Sequence, residues 1–68
     1  MKYTIEINRQ VATNTFESML VVATEDHDFY YSSLTKLIMM FASDKTLNNV
    51  SFKEDENFLH ANIYYKLN

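Results

Sequence analysis

The chain contains no glycine and no proline, so other residues must form every one of its turns. Average usage would give about 8 of these two residue types in a chain of this length. Phosphate-cradling loops, dinucleotide-binding fingerprints, EF-hand calcium loops and the nucleophile elbow of α/β-hydrolases all require glycine, and all are therefore excluded. Cysteine is also absent, which excludes disulfides and thiolate zinc sites.

The length of 68 residues accommodates one domain, which we place at residues 1–68. The first ten residues, MKYTIEINRQ, contain no uninterrupted apolar run of the kind found in signal peptides. The longest apolar stretch, residues 37–42, is far shorter than the roughly 20 residues that span a bilayer. We therefore expect a cytoplasmic protein with no membrane association.

The charge distribution argues against nucleic acid as a partner. The net charge is −3, and the six lysine and arginine residues are spread singly, so they form no cationic patch for phosphate. The pairs Tyr30-Tyr31 and Tyr64-Tyr65 resemble base-stacking platforms, but such platforms combine their rings with cationic grooves. We expect no direct binding to nucleic acid.

The N-terminal residues predict a strand followed by a tight turn. Tyr3, Ile5 and Ile7 alternate with polar residues, as in a half-buried strand that could continue to Val11. Asn14 comes next, and asparagine tolerates the left-handed backbone conformation of a turn better than most residues.

Residues 16–24 are compatible with either a helix or a strand. The β-branched Val21 and Val22 favour a strand, and we interpret the segment as the second strand of a hairpin. One side of residues 19–23 is then expected to pack on the core. Four apolar residues follow the competing helical stripe: Phe16, Met19, Leu20 and Ala23.

One long helix is predicted after residue 25. Asp26 or Asp28 can cap its N-terminus, and the helix should end at residues 44–45. Asn48 or Asn49 would take the place of glycine in the exit turn. Five apolar residues fall within about 100° of one another on a helical wheel: Tyr30, Leu34, Leu37, Ile38 and Phe41.

The C-terminal third predicts a second hairpin. Val50 and Phe52 begin a short third strand, and residues 54–57 form a polar turn. In the fourth strand, five apolar residues occupy every second position: Leu59, Ala61, Ile63, Tyr65 and Leu67.

The predicted element order is therefore ββαββ. An α+β fold with one helix packed on a four-stranded antiparallel or mixed sheet buries all of these apolar stripes together. A strand order of 2-1-4-3 places the first and last strands side by side in the centre. This arrangement resembles the β-grasp topology.

The two histidines, His27 and His60, are the first candidates for chemistry. His27 lies in the acidic run from Glu25 to Asp28, which could bind a metal ion, but acidic residues before a helix also interact favourably with its dipole. His60 has no serine at a spacing that suggests a triad, so we interpret it as a polar residue on a sheet face. We predict no catalytic residue, no metal site and no cofactor.

A second acidic group, Glu54, Asp55 and Glu56, could imitate DNA phosphates together with residues 25–28. The net charge of −3 is small for a nucleic-acid mimic. We favour a solvated hairpin tip as the interpretation.

Two surfaces remain as candidates for binding. If the alternating apolar residues of the fourth strand face the helix, Phe58, His60 and Tyr64 lie on the opposite face of the sheet. Beside them on the first strand would lie four further residues: Lys2, Thr4, Glu6 and Asn8. A mixed aromatic and polar face of this kind is typical of protein interfaces.

The helix provides the second surface. With Tyr30 and Leu34 turned inward, Phe29 and Met40 lie on the flank and Met39 points away from the core. Methionine recurs at binding surfaces because its side chain is adaptable. A different helix rotation would bury Met39 or Met40 instead.

These features predict a non-enzymatic protein-binding module whose partner is a host protein or complex. The composition, rich in residues with AT-rich codons, suggests a phage or mobile-element inhibitor of a host enzyme or defence complex, with anti-CRISPR proteins as one example class. The first alternative is a homo-oligomeric structural or regulatory protein, such as a homodimer, joined through the helix flank or an edge strand. The second is a metal-dependent enzyme that uses the Glu25 to Asp28 run.

Overall fold

The structure of the chain, a computed structural model, describes residues 1–67 and has the element order ββαββ. Strand β1 spans Lys2–Ala12 and β2 spans Thr15–Thr24; helix α1 spans His27–Ser43; strand β3 spans Leu47–Glu54 and β4 spans Phe58–Tyr65. The predicted α+β fold is confirmed, and residues 16–24 form a strand as expected.

The four strands form one mixed sheet in the order β2-β1-β4-β3. Strand β1 pairs antiparallel with β2, and β4 pairs antiparallel with β3. The two hairpins join through the parallel pairing of β1 with β4, which runs from Lys2 opposite Phe58 to Arg9 opposite Tyr65. The predicted order 2-1-4-3 is therefore confirmed, with the first and last strands in the centre.

The core lies between α1 and the two central strands. Ile5, Ala61 and Ile63 contribute the buried side chains of the sheet, and Tyr30 and Leu34 contribute those of the helix. The Tyr30 ring stacks on the ring of Tyr3 with 4.8 Å between centroids. The predicted helical stripe is confirmed, because its remaining members pack against this cluster: Leu37, Ile38 and Phe41.

Helix α1 begins where the sequence predicts. Asp26 is the N-cap, and its Oδ1 atom accepts a hydrogen bond of 3.0 Å from the backbone N–H of Phe29. This bond satisfies one of the first backbone donors, which have no partner inside the helix. No helix within residues 1–67 has the length and apolar character needed to cross a membrane.

Within residues 1–67, Asn14 and Lys45 adopt the left-handed backbone conformation, each with φ of 59°. Asn14 occupies the hairpin turn as expected. Lys45 ends the helix in a Schellman motif, in which the N–H of Thr46 bonds to the carbonyl of Phe41 at 2.9 Å. The prediction that Asn48 or Asn49 would make this turn is wrong, because both lie in β3.

The ends of three strands differ from the prediction. Val11 and Leu67 are both exposed and do not join the core. The ladder between the central strands stops at Arg9 and Tyr65, so Val11 has a neighbouring strand only on the β2 side and Leu67 lies beyond the end of β4. Strand β3 begins at Leu47, three residues before the predicted start, because Leu47 already pairs with Tyr65.

Strand β2 packs on the core less than expected. Met19, Leu20 and Val21 are each about half exposed, and Val22 is only partly buried. The prediction that one side of residues 19–23 would pack on the core is wrong, since the core cluster contains no residue of β2. The helix covers the central strands and leaves this outer strand largely uncovered.

The hydroxyl of Tyr30 is buried without a hydrogen-bond partner. An unsatisfied buried hydroxyl costs about 1–3 kcal/mol, whereas the ring contributes favourable packing. We therefore expect Tyr30→Phe to unfold in urea with a free energy equal to, or about 1 kcal/mol above, that of the parent protein. Tyr30→Ala should lose about 3–5 kcal/mol by comparison with other large-to-small core substitutions. A Tyr30→Phe variant destabilised by more than about 1 kcal/mol would show that the hydroxyl has a partner.

The pH dependence of stability provides a second test of the same residue. Burial, followed by the neighbouring Tyr31 and Tyr3 side chains, raises the pKa of Tyr30 above its ordinary value. The unfolded chain then loses this proton first, so the stabilisation is complete below about pH 10 and is lost as pH rises through the folded pKa. Above about pH 10, the unfolding free energy of the parent protein should fall more steeply with pH than that of Tyr30→Phe. Parallel curves for the two proteins would contradict a raised pKa of Tyr30.

Candidate functional site

The sheet has one face against α1 and one face away from it, which we call the open face. The only helix within residues 1–67 packs on the opposite side, through Ile5, Ala61 and Ile63. Because side chains alternate along a strand, the residues between these core positions point to the open face. On the two central strands they are Thr4, Glu6, Asn8, Phe58, His60, Asn62 and Tyr64.

His60 is the centre of a polar network on the open face. Its Nδ1 atom is in hydrogen-bonding contact with Oγ1 of Thr4, the residue directly opposite in the parallel ladder. Its Nε2 atom lies 3.2 Å from Oδ1 of Asn62 and 3.4 Å from Oε1 of Glu6. Both ring nitrogens therefore have partners within the protein, which fixes the ring on the surface.

Two asparagines complete this central strip. Asn8 and Asn62 are both buried, with only 7% of their surface exposed. The Nδ2 atom of Asn8 donates to the carbonyl of Ile63 at 3.4 Å, and Oδ1 of Asn62 faces His60. Hydrogen bonds of this kind are required when polar side chains are removed from water. The middle of the open face is therefore polar and tightly held.

Aromatic rings lie at both ends of this polar strip. Phe58 is exposed at one end. At the other end, Tyr64 makes an edge-to-face contact with Phe16 of β2, with 4.9 Å between ring centroids and an angle of 72°. These two rings help to form a shallow groove of about 520 Å³ with four uncharged residues: Asn14, Asn48, Asn49 and Ser51.

Phe16 is a member of this surface that sequence reasoning missed. A β-bulge shifts the β1–β2 register between Ile7 and Asn8, so that Phe16 pairs with Gln10. Without the extra residue, Phe16 would lie opposite Val11 and point to the other side of the sheet, because a one-residue shift reverses the facing of every side chain. The sequence contains no glycine that would signal a bulge there.

The predicted helix residues lie on the opposite side of the molecule. Phe29, Met39 and Met40 are exposed, and the alternative helix rotation that would bury Met39 or Met40 is not observed. Phe29 and Met40 lie eleven residues apart, or about 16 Å along the helix axis. Met39 points in a direction about 100° away from Met40 around the helix. The three side chains are therefore scattered.

The acidic run at the start of α1, Glu25 to Asp28, has local structural roles. The Asp26 carboxylate caps the helix, and Nδ1 of His27 lies 3.5 Å from Oδ1 of Asp28. The His27 ring also packs against the ring of Tyr31, with 4.6 Å between centroids. Among residues 1–67, no group of three or more metal-ligating side chains is placed to hold a metal ion.

The second acidic group lies at the tip of the β3–β4 hairpin. The Oδ1 atom of Asp55 accepts hydrogen bonds from the backbone N–H groups of Asn57 at 2.7 Å and Phe58 at 3.0 Å. These bonds are typical of aspartate in a turn. Asp55 therefore has a structural role at this tip, while Glu54 and Glu56 are exposed.

The two predicted sets of binding residues thus lie on opposite sides of the protein, with Phe58, His60 and Tyr64 on the open face. No family model, curated protein or solved structure shows significant similarity to this chain. The geometry of these two surfaces is the basis for a functional proposal.

The polar network should contribute measurably to stability. Replacing His60 with alanine removes the partner of Thr4 and Asn62, and a partly buried polar group left without a partner costs about 1–3 kcal/mol. Lys53 pairs with His60 across the neighbouring strand but is exposed, so Lys53→Ala should change the unfolding free energy by less than about 0.5 kcal/mol. Urea unfolding measures both values. Equal effects of the two substitutions would contradict a structural role for the network.

Proposed function

We propose that this chain is a non-enzymatic protein-binding module and that the open face is its main contact surface. The observation that carries the proposal is the arrangement of this face, in which Phe58 and the Phe16–Tyr64 pair flank a fixed polar strip. Interfaces are enriched in phenylalanine and tyrosine, which bury a large area with little loss of conformational freedom. The fixed polar groups of the strip would determine orientation and specificity.

The open face is a better candidate than the helix flank because its residues are contiguous. Phe58, His60 and Tyr64 come from one strand, and Phe16 contacts Tyr64 directly. A single partner could cover all of them, because the polar strip fills the roughly 20 Å between Phe58 and Tyr64. On the helix, by contrast, Met39 points about 100° away from Met40. Energetically important residues tend to cluster near the centre of an interface. The helix flank is therefore a secondary candidate.

A protein is the partner that this surface fits best. The central strip has one carboxylate, Glu6, and the cations of the open face are Lys2 and Lys53, at its periphery. Nucleic-acid-binding surfaces rely on clustered cations, which this chain with a net charge of −3 does not have. A nearly neutral aromatic and polar face is typical of protein–protein recognition.

The biological setting that we propose is inhibition of a host enzyme or defence complex by a phage or mobile element, in the manner of anti-CRISPR proteins. The support is the short acidic chain and its richness in residues with AT-rich codons. A small, rigid binder can block a larger protein by covering a functional surface. Such an inhibitor would act in the host cytoplasm.

Affinity capture with matched variants tests this proposal. The tagged protein would be incubated with lysate of a bacterial host, and captured proteins would be quantified by mass spectrometry. Tyr64→Ala should reduce the capture of a specific partner at least tenfold, about the loss expected when a tyrosine that anchors an interface is truncated. Met40→Ala, on the opposite side of the molecule, should retain it.

Phe58→Ala provides an independent check, because Phe58 is at the exposed end of the open face and its truncation should leave the fold intact. Circular dichroism would establish that each variant is folded. Capture that survives both Tyr64→Ala and Phe58→Ala, or that is lost only with Met40→Ala, would refute the open face as the contact surface.

A further inference from the structure

Strand β2 is an edge strand with a long and largely apolar outer side. It pairs with β1 on one side only, so half of its backbone N–H and C=O groups have no strand beside them. It is ten residues long, and its central residues Met19, Leu20 and Val21 are exposed on both faces. A long apolar edge of this kind is a template for pairing with another strand.

The opposite edge of the sheet is different. Strand β3 carries Lys53 and Glu54 at one end and two asparagines near the other, and charged side chains on an edge discourage pairing. The one charged residue of β2 is Glu17, whose Oε2 atom lies 3.5 Å from Nη2 of Arg9 within the same hairpin. One edge is therefore protected by charge and the other is not.

We propose that two copies of this chain pair antiparallel through β2 and form one continuous eight-stranded sheet. Such a pairing has twofold symmetry, so each copy presents the same strand to the other. The paired residues of antiparallel strands share a face, so the symmetry axis passes through one residue, and we place it at Leu20, which lies opposite Leu20 of the partner. Glu17 lies three residues before this axis and Glu25 five residues after it. No carboxylate then faces another carboxylate, and the apolar centres of the two strands coincide.

The size of this interface predicts a weak dimer. The protein measures 35 × 22 × 15 Å, and an eleven-residue strand is about 36 Å long, so the longest dimension runs along the strands. The β2 edge then offers on the order of 500 Å² per copy, close to the lower limit for specific interfaces. Backbone hydrogen bonds along the edge add to this contact. We expect a dissociation constant of the dimer in the micromolar range.

The dimer would leave the open face accessible. Pairing through the strand edge extends the sheet sideways, so the two open faces would lie next to each other in one surface. The inference depends on the edge of β2 around Leu20, whereas partner binding is tested at Phe58 and Tyr64 on β4. Loss of dimerisation and loss of partner binding are therefore separable in experiments.

Sedimentation velocity over a concentration series tests the inference. The mass should rise from that of the 8.1 kDa chain towards twice this value between low micromolar and several hundred micromolar concentrations. Hydrogen exchange at the two ends of the series should show concentration-dependent protection of alternate amides in β2, with no change in β3. A monomer at every concentration would overturn the proposal. This result is expected if the β2 edge pairs only with a peptide of another protein.

Two matched substitutions locate the interface. Leu20→Lys places a cation at the centre of the β2 edge, where it meets its copy across the twofold axis, and should raise the dissociation constant at least tenfold. Phe52→Lys is the control, because Leu20 and Phe52 are 53% and 55% exposed and lie on the two opposite edge strands. It should leave the dissociation constant unchanged. A dimer that survives Leu20→Lys, or that Phe52→Lys disrupts equally, would place the interface elsewhere.

Discussion

The parallel pairing of β1 with β4 is the interaction on which the rest of the structure depends. It joins the two ends of the chain, with Lys2 opposite Phe58 and Arg9 opposite Tyr65. On one side of this pair, Ile5, Ala61 and Ile63 form the floor of the core under Tyr30. On the other side, the same register places Thr4 opposite His60, which creates the polar network of the open face.

The exposed apolar surfaces of the edge strands result from the small area of the sheet that a single helix can cover. Helix α1 has 17 residues and packs over the central strands, so the core consists of few fully buried side chains. Both edge strands retain exposed apolar residues, Leu20 on β2 and Phe52 on β3. A short chain buries a smaller fraction of its surface than a longer one, and association with another protein is a common way to bury more.

Local patterns in the sequence predicted most of the fold. The alternation of β1 and β4, the helical stripe from Tyr30 to Phe41 and the cap at Asp26 depend on neighbouring residues, and each was recognised. The turn at Lys45 was missed because the left-handed backbone conformation is unfavourable for lysine. The helix end and the strand on either side impose this conformation, and the local sequence does not indicate it. The exposure of β2 was missed because it depends on where the helix lies, which is a property of the whole fold.

In the candidate site too, local patterns predicted some features and others depend on the whole fold. Alternation alone placed Phe58, His60 and Tyr64 on the face away from the helix. Their partners could not be read from the sequence. The contacts of His60 with Thr4 and Glu6 require the parallel register, and the contact of Tyr64 with Phe16 requires the bulge in the β1–β2 ladder.

The most direct test of the account is a side-chain footprint of the protein alone and in complex with its captured partner. Hydroxyl radicals label exposed aromatic and methionine side chains, so mass spectrometry can report both surfaces in one experiment. We predict that labelling of Phe16, Phe58 and Tyr64 falls on binding, while labelling of Met39 and Met40 does not change. Protection of Met39 and Met40 with unchanged labelling of the open face would contradict the account.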